Sequence, residues 1–222
     1  MSLEVIKGNL FSTRCQTLVN TVNCVGVMGA GIALEFRLRY PRMYERYQEI
    51  CQQKLLDIGK LWIFKTDQRW ILNFPTKKHW KDKSELNFLK LGLEKFIDNY
   101  QNKGIQSIAF PVLGSLNGGL PENESIAIMT EYLNKCTINV EIYIYDPNSA
   151  DDIFERIKQS FISLPAQDIM KITGLKQPYF KKVKEAIEIG QVYSLSGLLS
   201  TKGIGIATVE KTLLILNQEL EI

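Results

Sequence analysis

The sequence predicts an α/β fold, a sheet layered between helices, followed by a small all-helical domain. Three observations carry this. Short apolar runs alternate with stretches of helical spacing over residues 1–162, glycine-rich loops follow two of those runs, and beyond Ser163 no strand pattern remains.

In chain order, Leu3–Lys7 alternates apolar and polar residues and stops at Gly8-Asn9, as an edge strand and its turn do. Thr17–Asn20 is a second short strand. It leads through Asn23 into Cys24-Val25-Gly26-Val27-Met28-Gly29-Ala30-Gly31, a loop with three glycines that opens a helix at Ile32. Strand, glycine turn and helix start together aim backbone N–H groups at an anion, and the helix N-terminus adds partial positive charge. Taken alone, the loop is also compatible with an ordinary glycine-rich turn.

Helical spacing runs from Ile32 to Arg39, stops before Pro41 and resumes through Tyr44, Tyr47 and Ile50. Lys60–Lys65 and Arg69–Phe74 read as two strands about a Thr-Asp-Gln turn, the second closed by Pro75. Ser84 reads as the N-cap of a long helix with Leu86, Leu89, Leu93, Phe96, Ile97 and Tyr100 on one face, ended by Gly104. Ile105–Phe110 is a strand broken by Pro111. A second glycine loop, Gly114–Gly119, follows, and Pro121 opens a helix through Ile128, Met129 and Leu133. Val140–Tyr145 is the last strand, and Ser149–Asp152 caps a helix that reaches Ile162.

In open α/β sheets, ligands sit beyond the C-terminal ends of the strands, so the two glycine loops are expected to face one crevice. Leu164-Pro165 breaks the pattern and divides the chain into residues 1–162 and 163–222. No internal repeat is visible.

The chain has 222 residues, 45% of them hydrophobic, which leaves room for a sizeable core and a smaller companion domain. A net charge of +3 permits a polyanionic partner without requiring one. Four scattered cysteines with no C-x-x-C pair, and a single histidine, argue against a zinc site and for a reducing cytoplasm. No segment resembles a signal peptide or approaches the ~20 apolar residues of a membrane span, so a soluble cytoplasmic protein is expected. Nothing calls for a metal or a cofactor.

Residues 2–160 resemble a macrodomain, the ADP-ribose-binding module. Val19-Asn20-Thr21-Val22-Asn23 is similar to the family's Val-Asn-Ala-Ala-Asn signature, and Phe110–Gly119 is similar to its second phosphate loop. Within the family the chain looks most like the DarG branch, antitoxin macrodomains that remove ADP-ribose from thymine in DNA. Lys7–Phe11, Asn23–Gly29 and Asn73–Trp80 carry that closer match.

The resemblance implies a three-layer α/β/α fold with a mixed sheet, and it implies roles for particular residues. Asn9 and Leu10 would hold adenine, with Tyr145 as a wall of the pocket; Asn9 departs from the Asp that many macrodomains place there. Gly29, Ala30, Gly31 and Ile32 would offer N–H groups to the diphosphate. Ser115, Leu116, Asn117 and Gly118 would close over the diphosphate and distal ribose, and Asn20 and Asn23 would reach that ribose or order the loop. It also implies a DarT-like toxin, a DNA ADP-ribosyltransferase, as genetic partner.

Thr76–Lys83 packs four lysines around the only histidine and a tryptophan. A solvated basic loop is the plain reading of such a cluster. Its place after a strand, and the match of Lys77 to the essential lysine of DarG-type relatives, point to catalysis instead. A lysine suits cleavage of an N-glycosidic bond, because it can protonate the leaving base or attack the anomeric carbon as an amine. Alternation along a strand end lets only one of Lys77 and Lys78 face the ligand, and the sequence leaves both roles and both residues open.

Lys78, His79 and Trp80 are candidates for DNA contact, by stacking and phosphate neutralisation; packing is the other reading of His79, and a structural tryptophan among surface lysines the other reading of Trp80. Cys24 lacks a histidine nearby in sequence to activate it and reads as a packing residue. In the C-terminal domain Leu198–Lys211 looks like a helix-hairpin-helix whose Gly203-Ile204-Gly205 turn would present N–H groups to a DNA phosphate, with Ile172–Leu175 as a weaker second turn. Nine Lys and Arg against nine Asp and Glu over residues 151–222 give no electrostatic footprint, so a partner-docking role stays open beside DNA. The expected function is removal of ADP-ribose from thymine in DNA. A non-catalytic ADP-ribose reader and a hydrolase of protein-linked ADP-ribose are the alternatives.

Overall fold

The computed structural model describes residues 2–216. The chain gathers into two compact units, Met1–Tyr145 and Asp146–Ile222. The first contains β1 (Leu3–Gly8), β2 (Thr17–Asn23), α1 (Gly31–Arg39), α2 (Pro41–Gln52), β3 (Trp62–Lys65), β4 (Trp70–Lys77), α3 (Leu86–Lys103), β5 (Ser107–Pro111), α4 (Glu122–Leu133) and β6 (Asn139–Tyr145). Short 3-10 turns at Leu10–Ser12 and Leu116–Gly118 follow β1 and β5.

The sheet order is β1-β6-β5-β2-β4-β3, parallel throughout except for β3, which runs antiparallel to β4 at the edge. It is therefore mixed. Strand alternation sends Val19, Leu72, Phe74, Ile108 and Phe110 into a core with α3 and α4. Leu18, Val22, Ile71 and Ala109 go the other way, against Phe36 of α1 and Met43 and Tyr47 of α2. The chain leaves β2 for β4 on one side and returns from β4 to β5 on the other, so the connections diverge around β2. That divergence opens a crevice at the C-terminal strand ends.

Two local expectations change. Pro75 does not close β4. The strand continues to Lys77 through a register shift at Val22/Asn23, and β3 pairs no further than Asn73, so no ladder on that edge requires the missing N–H. Ser84 does not cap α3 either. Glu85 occupies the N-cap without a side-chain bond, while the buried Ser84 donates its backbone N–H to the Gly118 carbonyl at 2.9 Å. Gly104 does end α3, in the left-handed conformation (φ 78°).

The second unit is helical among its described residues: α5 (Asp152–Ser163), α6 (Ala166–Thr173), α7 (Gln177–Glu188), α8 (Leu195–Ser200) and α9 (Ile206–Leu213). Helix α5 groups with the helices after it. Asp151 caps α5 and also accepts from the Leu195 N–H at 3.1 Å, and Phe161 stacks on Phe180 with centroids 5.9 Å apart.

The weaker second turn at Ile172–Leu175 belongs to a full second hairpin, in register with the first. Shifting Gly174 onto Gly203 superposes the buried residues Ile169, Leu175, Phe180 and Val183 on Leu198, Ile204, Val209 and Thr212. Both glycines have positive φ (62° and 83°). The shift also pairs Lys182 with Lys211, and each lysine reaches the other hairpin. Lys211 Nζ donates to the Gly174 carbonyl at 3.0 Å, and the Lys182 amine fills the space a Cβ on Gly203 would take. Such a hairpin pair needs only apolar positions and one glycine each, so little residue identity survives to reveal it.

Candidate active site

Three loops meet at the C-terminal edge of β2, β4 and β5. In the first, Asn23 acts as an internal scaffold. Its Oδ1 accepts from the Val25 and Val27 N–H groups (3.1 and 3.3 Å), and its Nδ2 donates to the Val27 carbonyl at 2.6 Å. The buried Tyr47 hydroxyl donates to the Asn23 carbonyl at 2.6 Å. Asn20 is fully buried; its amide donates to Asn73 at 2.9 Å and lies against the Met28 sulfur beneath the loop. Asn23 thus orders the loop, and Asn20 ties β2 to β4 beneath it.

Gly29, Ala30 and Gly31 are exposed at the start of α1, with Ile32 partly so. Leu34 is the first residue to donate within the helix, to the Ala30 carbonyl, so the amides before it have no helical acceptor. Gly31 has φ 55°, and the space a Cβ would take is filled by the Asn117 side-chain amide. Glycine is required there twice over, and its absence of a side chain is what lets the two glycine loops touch.

In the second loop the Ser115 hydroxyl donates to the Val112 carbonyl at 2.9 Å. Gly118 is buried, with its N–H on the Ser115 carbonyl at 2.8 Å and its own carbonyl on Ser84, so it shapes the turn. Leu116 and Asn117 are exposed beside it.

The third loop brings the lysine cluster. Lys77 is partly buried and its amine donates to the Asn117 carbonyl at 2.8 Å, joining the end of β4 to the second glycine loop. Lys78 is exposed, and its carbonyl takes the Cys24 N–H at 3.0 Å. The bulge in β4 thus sends Lys77 to the crevice and Lys78 to solvent. Burial lowers the Lys77 pKa, opposed by the nearby Asp82 carboxylate.

His79 organises its own turn. Its N–H donates to Asp82 at 3.2 Å, and its Nδ1 accepts from the Lys81 N–H at 3.3 Å. Trp80 is half exposed, tilted against His79, with the Lys81 amine 5.0 Å from its ring. Burial and Asp57 push the Cys24 thiol up to about 11, the opposite of an activated nucleophile.

At the far end of the sheet, the register Gly8↔Tyr145 puts the ends of β1 and β6 side by side. Buried Asn9 follows directly; its Oδ1 accepts from the Phe11 N–H at 3.0 Å, leaving its amide N–H groups as the donors of that side chain. Leu10 is buried next to it and Tyr145 is exposed. Gly203 and Gly205 lie in the turn between α8 and α9, in the other compact unit.

Sequence reasoning missed Tyr47, Asn73 and Ser84 as supports. Asn73 had a legible signal, a polar residue inside the apolar run Trp70–Phe74. Tyr47 and Ser84 had none, since each acts through the backbone of a loop distant in sequence.

The macro domain model matches residues 19–129, half of the chain, spanning both glycine loops and the lysine between them. The chain belongs to the macro domain family. The macrodomain is similar to the DNA ADP-ribosyl glycohydrolase of Thermus aquaticus, 38% identical over 149 residues that cover 65% of this chain and 41% of that protein. It is also similar to the solved macrodomain of Mycobacterium tuberculosis DarG (38% identity, TM-score 0.62, covering 64% of this chain and 97% of that one). A further likeness is to Thermosipho africanus DarTG in complex with ADP-ribose (36% identity, TM-score 0.63, 69% of this chain and 44% of that one). The chain spans less than half the length of the DNA ADP-ribosyl glycohydrolase relatives, 42% and 41% for the first two. Among the described residues no helix is long and apolar enough to cross a membrane, and no cluster of His, Cys, Asp and Glu could hold a metal ion.

Proposed function

We propose that this macrodomain removes ADP-ribose from modified thymine bases in DNA, with Lys77 as the catalytic group, and so counters a DarT-like DNA ADP-ribosyltransferase. The observation that carries the reading is the Lys77 amine spanning from the end of β4 to the Asn117 carbonyl, at one end of a crevice lined by two glycine loops. Relatives at 36–38% identity bear the name DNA ADP-ribosyl glycohydrolase, alone or fused to the transferase, which supports the choice of substrate.

ADP-ribose lies across the strand ends in this reading. Adenine sits by Asn9, Leu10 and Tyr145; the diphosphate takes the amides of Gly29–Ile32 and of Ser115–Asn117; the distal ribose points to Lys77. From β1 to β4 there are four strand spacings of about 4.8 Å, about 19 Å in all, room for an extended dinucleotide-like ligand. At the reacting end, the bond between anomeric carbon and base nitrogen breaks as positive charge develops on the ribose. Lys77 either protonates the departing base or attacks the anomeric carbon, and water completes hydrolysis. Lys78, His79 and Trp80 contact the DNA around the lesion. The helical unit engages DNA phosphates through the turn holding Gly203 and Gly205, or docks the toxin.

The test is incubation with an ADP-ribosylated thymidine oligonucleotide and, separately, with an ADP-ribosylated protein. Release from the oligonucleotide alone is expected. Tight ADP-ribose binding without release from either substrate makes the protein a reader, and release from the protein alone makes it a protein-directed hydrolase. Lys77→Ala is expected to abolish turnover while retaining ADP-ribose binding.

A further inference from the structure

Large apolar side chains left in solvent are not spread evenly over the macrodomain. Of the eight described in the first unit, five (Val25, Val27, Trp80, Leu116 and Tyr145) lie on the crevice edge, and only Val5, Leu55 and Leu91 lie elsewhere. An apolar concentration of this kind marks a binding surface. Leu116 is its extreme member, 73% exposed and held at φ 45°. A left-handed conformation is strained for leucine and natural for glycine, and this leucine recovers none of that strain by burial. A chain selected only for stability has no reason to keep it.

Its position supplies the reason. Lys77 donates to the carbonyl of Asn117, the residue after Leu116. The loop carrying Trp80 is pinned to the same turn at both its ends, by Lys77 on Asn117 and by Ser84 on Gly118. Two exposed apolar residues therefore sit on the two loops that the Lys77 amine bonds together. Lys78, Lys81 and Lys83 surround Trp80, a charge pattern matched to a base with phosphates on either side.

We infer that Leu116 and Trp80 form an apolar clamp for the nucleobase of a base-linked ADP-ribose, with Leu116 as a specificity-determining residue. This rests on the proposed action on DNA. The clamp takes the face of the departing heterocycle, while the glycine loops hold the ADP-ribose moiety common to all substrates. An aspartate, glutamate or serine side chain offers no such face, so the clamp favours base-linked ADP-ribose over ADP-ribose on those acceptors.

The test compares binding of an ADP-ribosylated thymidine oligonucleotide with binding of free ADP-ribose, in the full chain carrying Lys77→Ala to prevent turnover, with and without Leu116→Gly. Glycine suits the backbone at this position, so Tm is expected to stay level or rise. The ratio of oligonucleotide affinity to ADP-ribose affinity should shrink about fivefold or more, the scale of a lost base contact, over and above any change in ADP-ribose affinity from this turn. Leu116→Met should restore it. An unchanged preference in Leu116→Gly overturns the clamp. Failure of the chain with Lys77 intact to release ADP-ribose, with the preference still lost in Leu116→Gly, overturns the hydrolase reading and leaves the clamp standing.

Discussion

Lys77 and Lys78 are neighbours of the same type, and the backbone separates their fates. The register shift in β4 puts the Lys77 amine on the Asn117 carbonyl and leaves Lys78 in solvent. Burial disfavours the charged ammonium of Lys77, so its proton leaves at lower pH than from a free lysine. Two outcomes follow for kcat/KM against pH. If the free amine attacks carbon, activity rises with pH through a midpoint below the ordinary lysine range. If the ammonium acts as an acid, activity falls through that same midpoint. Lys77→Arg keeps a positive charge and removes the nucleophile. It should abolish the first mechanism, and leave about 1% of activity, from electrostatic stabilisation alone, in the second. A pH–rate series on the native chain beside the arginine variant decides between them.

Among the elements, α3 positions the end of β4 that carries Lys77. Gly92 has no side chain, and the space a Cβ would occupy is filled by the ring of Phe74, which is completely buried on β4. Helix α3 rests on the strand only because position 92 is glycine, and Lys77 ends that strand. Gly92→Ala is expected to cost about 1–3 kcal/mol of stability through overpacking. Because the ring is enclosed, relief must come from movement of α3 or β4, so the loss of turnover should exceed the loss of ADP-ribose affinity. Denaturant titration beside single-turnover kinetics checks both. A stable variant with full activity would show that the ring has room to turn.

Over the whole molecule, the two compact units divide the proposed work between chemistry and attachment. The second unit has balanced charge, yet its paired hairpins carry Lys176 and Lys202 in or beside their turns. If these turns hold DNA phosphates, binding of the full chain to unmodified DNA weakens with salt. The double substitution Lys176→Glu and Lys202→Glu should then flatten the log–log slope by about 1–2 units. It should leave release of ADP-ribose from a short thymidine oligonucleotide unchanged. An unchanged slope, measured by fluorescence anisotropy across salt concentrations, excludes Lys176 and Lys202 as phosphate contacts.

The sequence by itself determined the strand and helix order, because periodicity and glycine or proline punctuation are local properties. It also determined the family resemblance, carried by the two glycine loops, and it supplied the lysine cluster as the candidate for the proposed chemistry. Tertiary structure alone decided which lysine faces the crevice, since the bulge in β4 depends on pairing with a strand more than fifty residues away. It showed Asn23 holding the loop, with Tyr47 of α2 on its carbonyl, and Asn20 tying β2 to β4 through Asn73. It moved Ser84 from helix cap to loop support, because Gly118 offered a carbonyl that no nearby residue could foretell. Of the hairpin pair, the sequence showed the second turn only weakly, because packing constrains the shape and polarity of a position far more tightly than its identity. The strain at Leu116 was invisible, since a leucine in sequence does not show its φ.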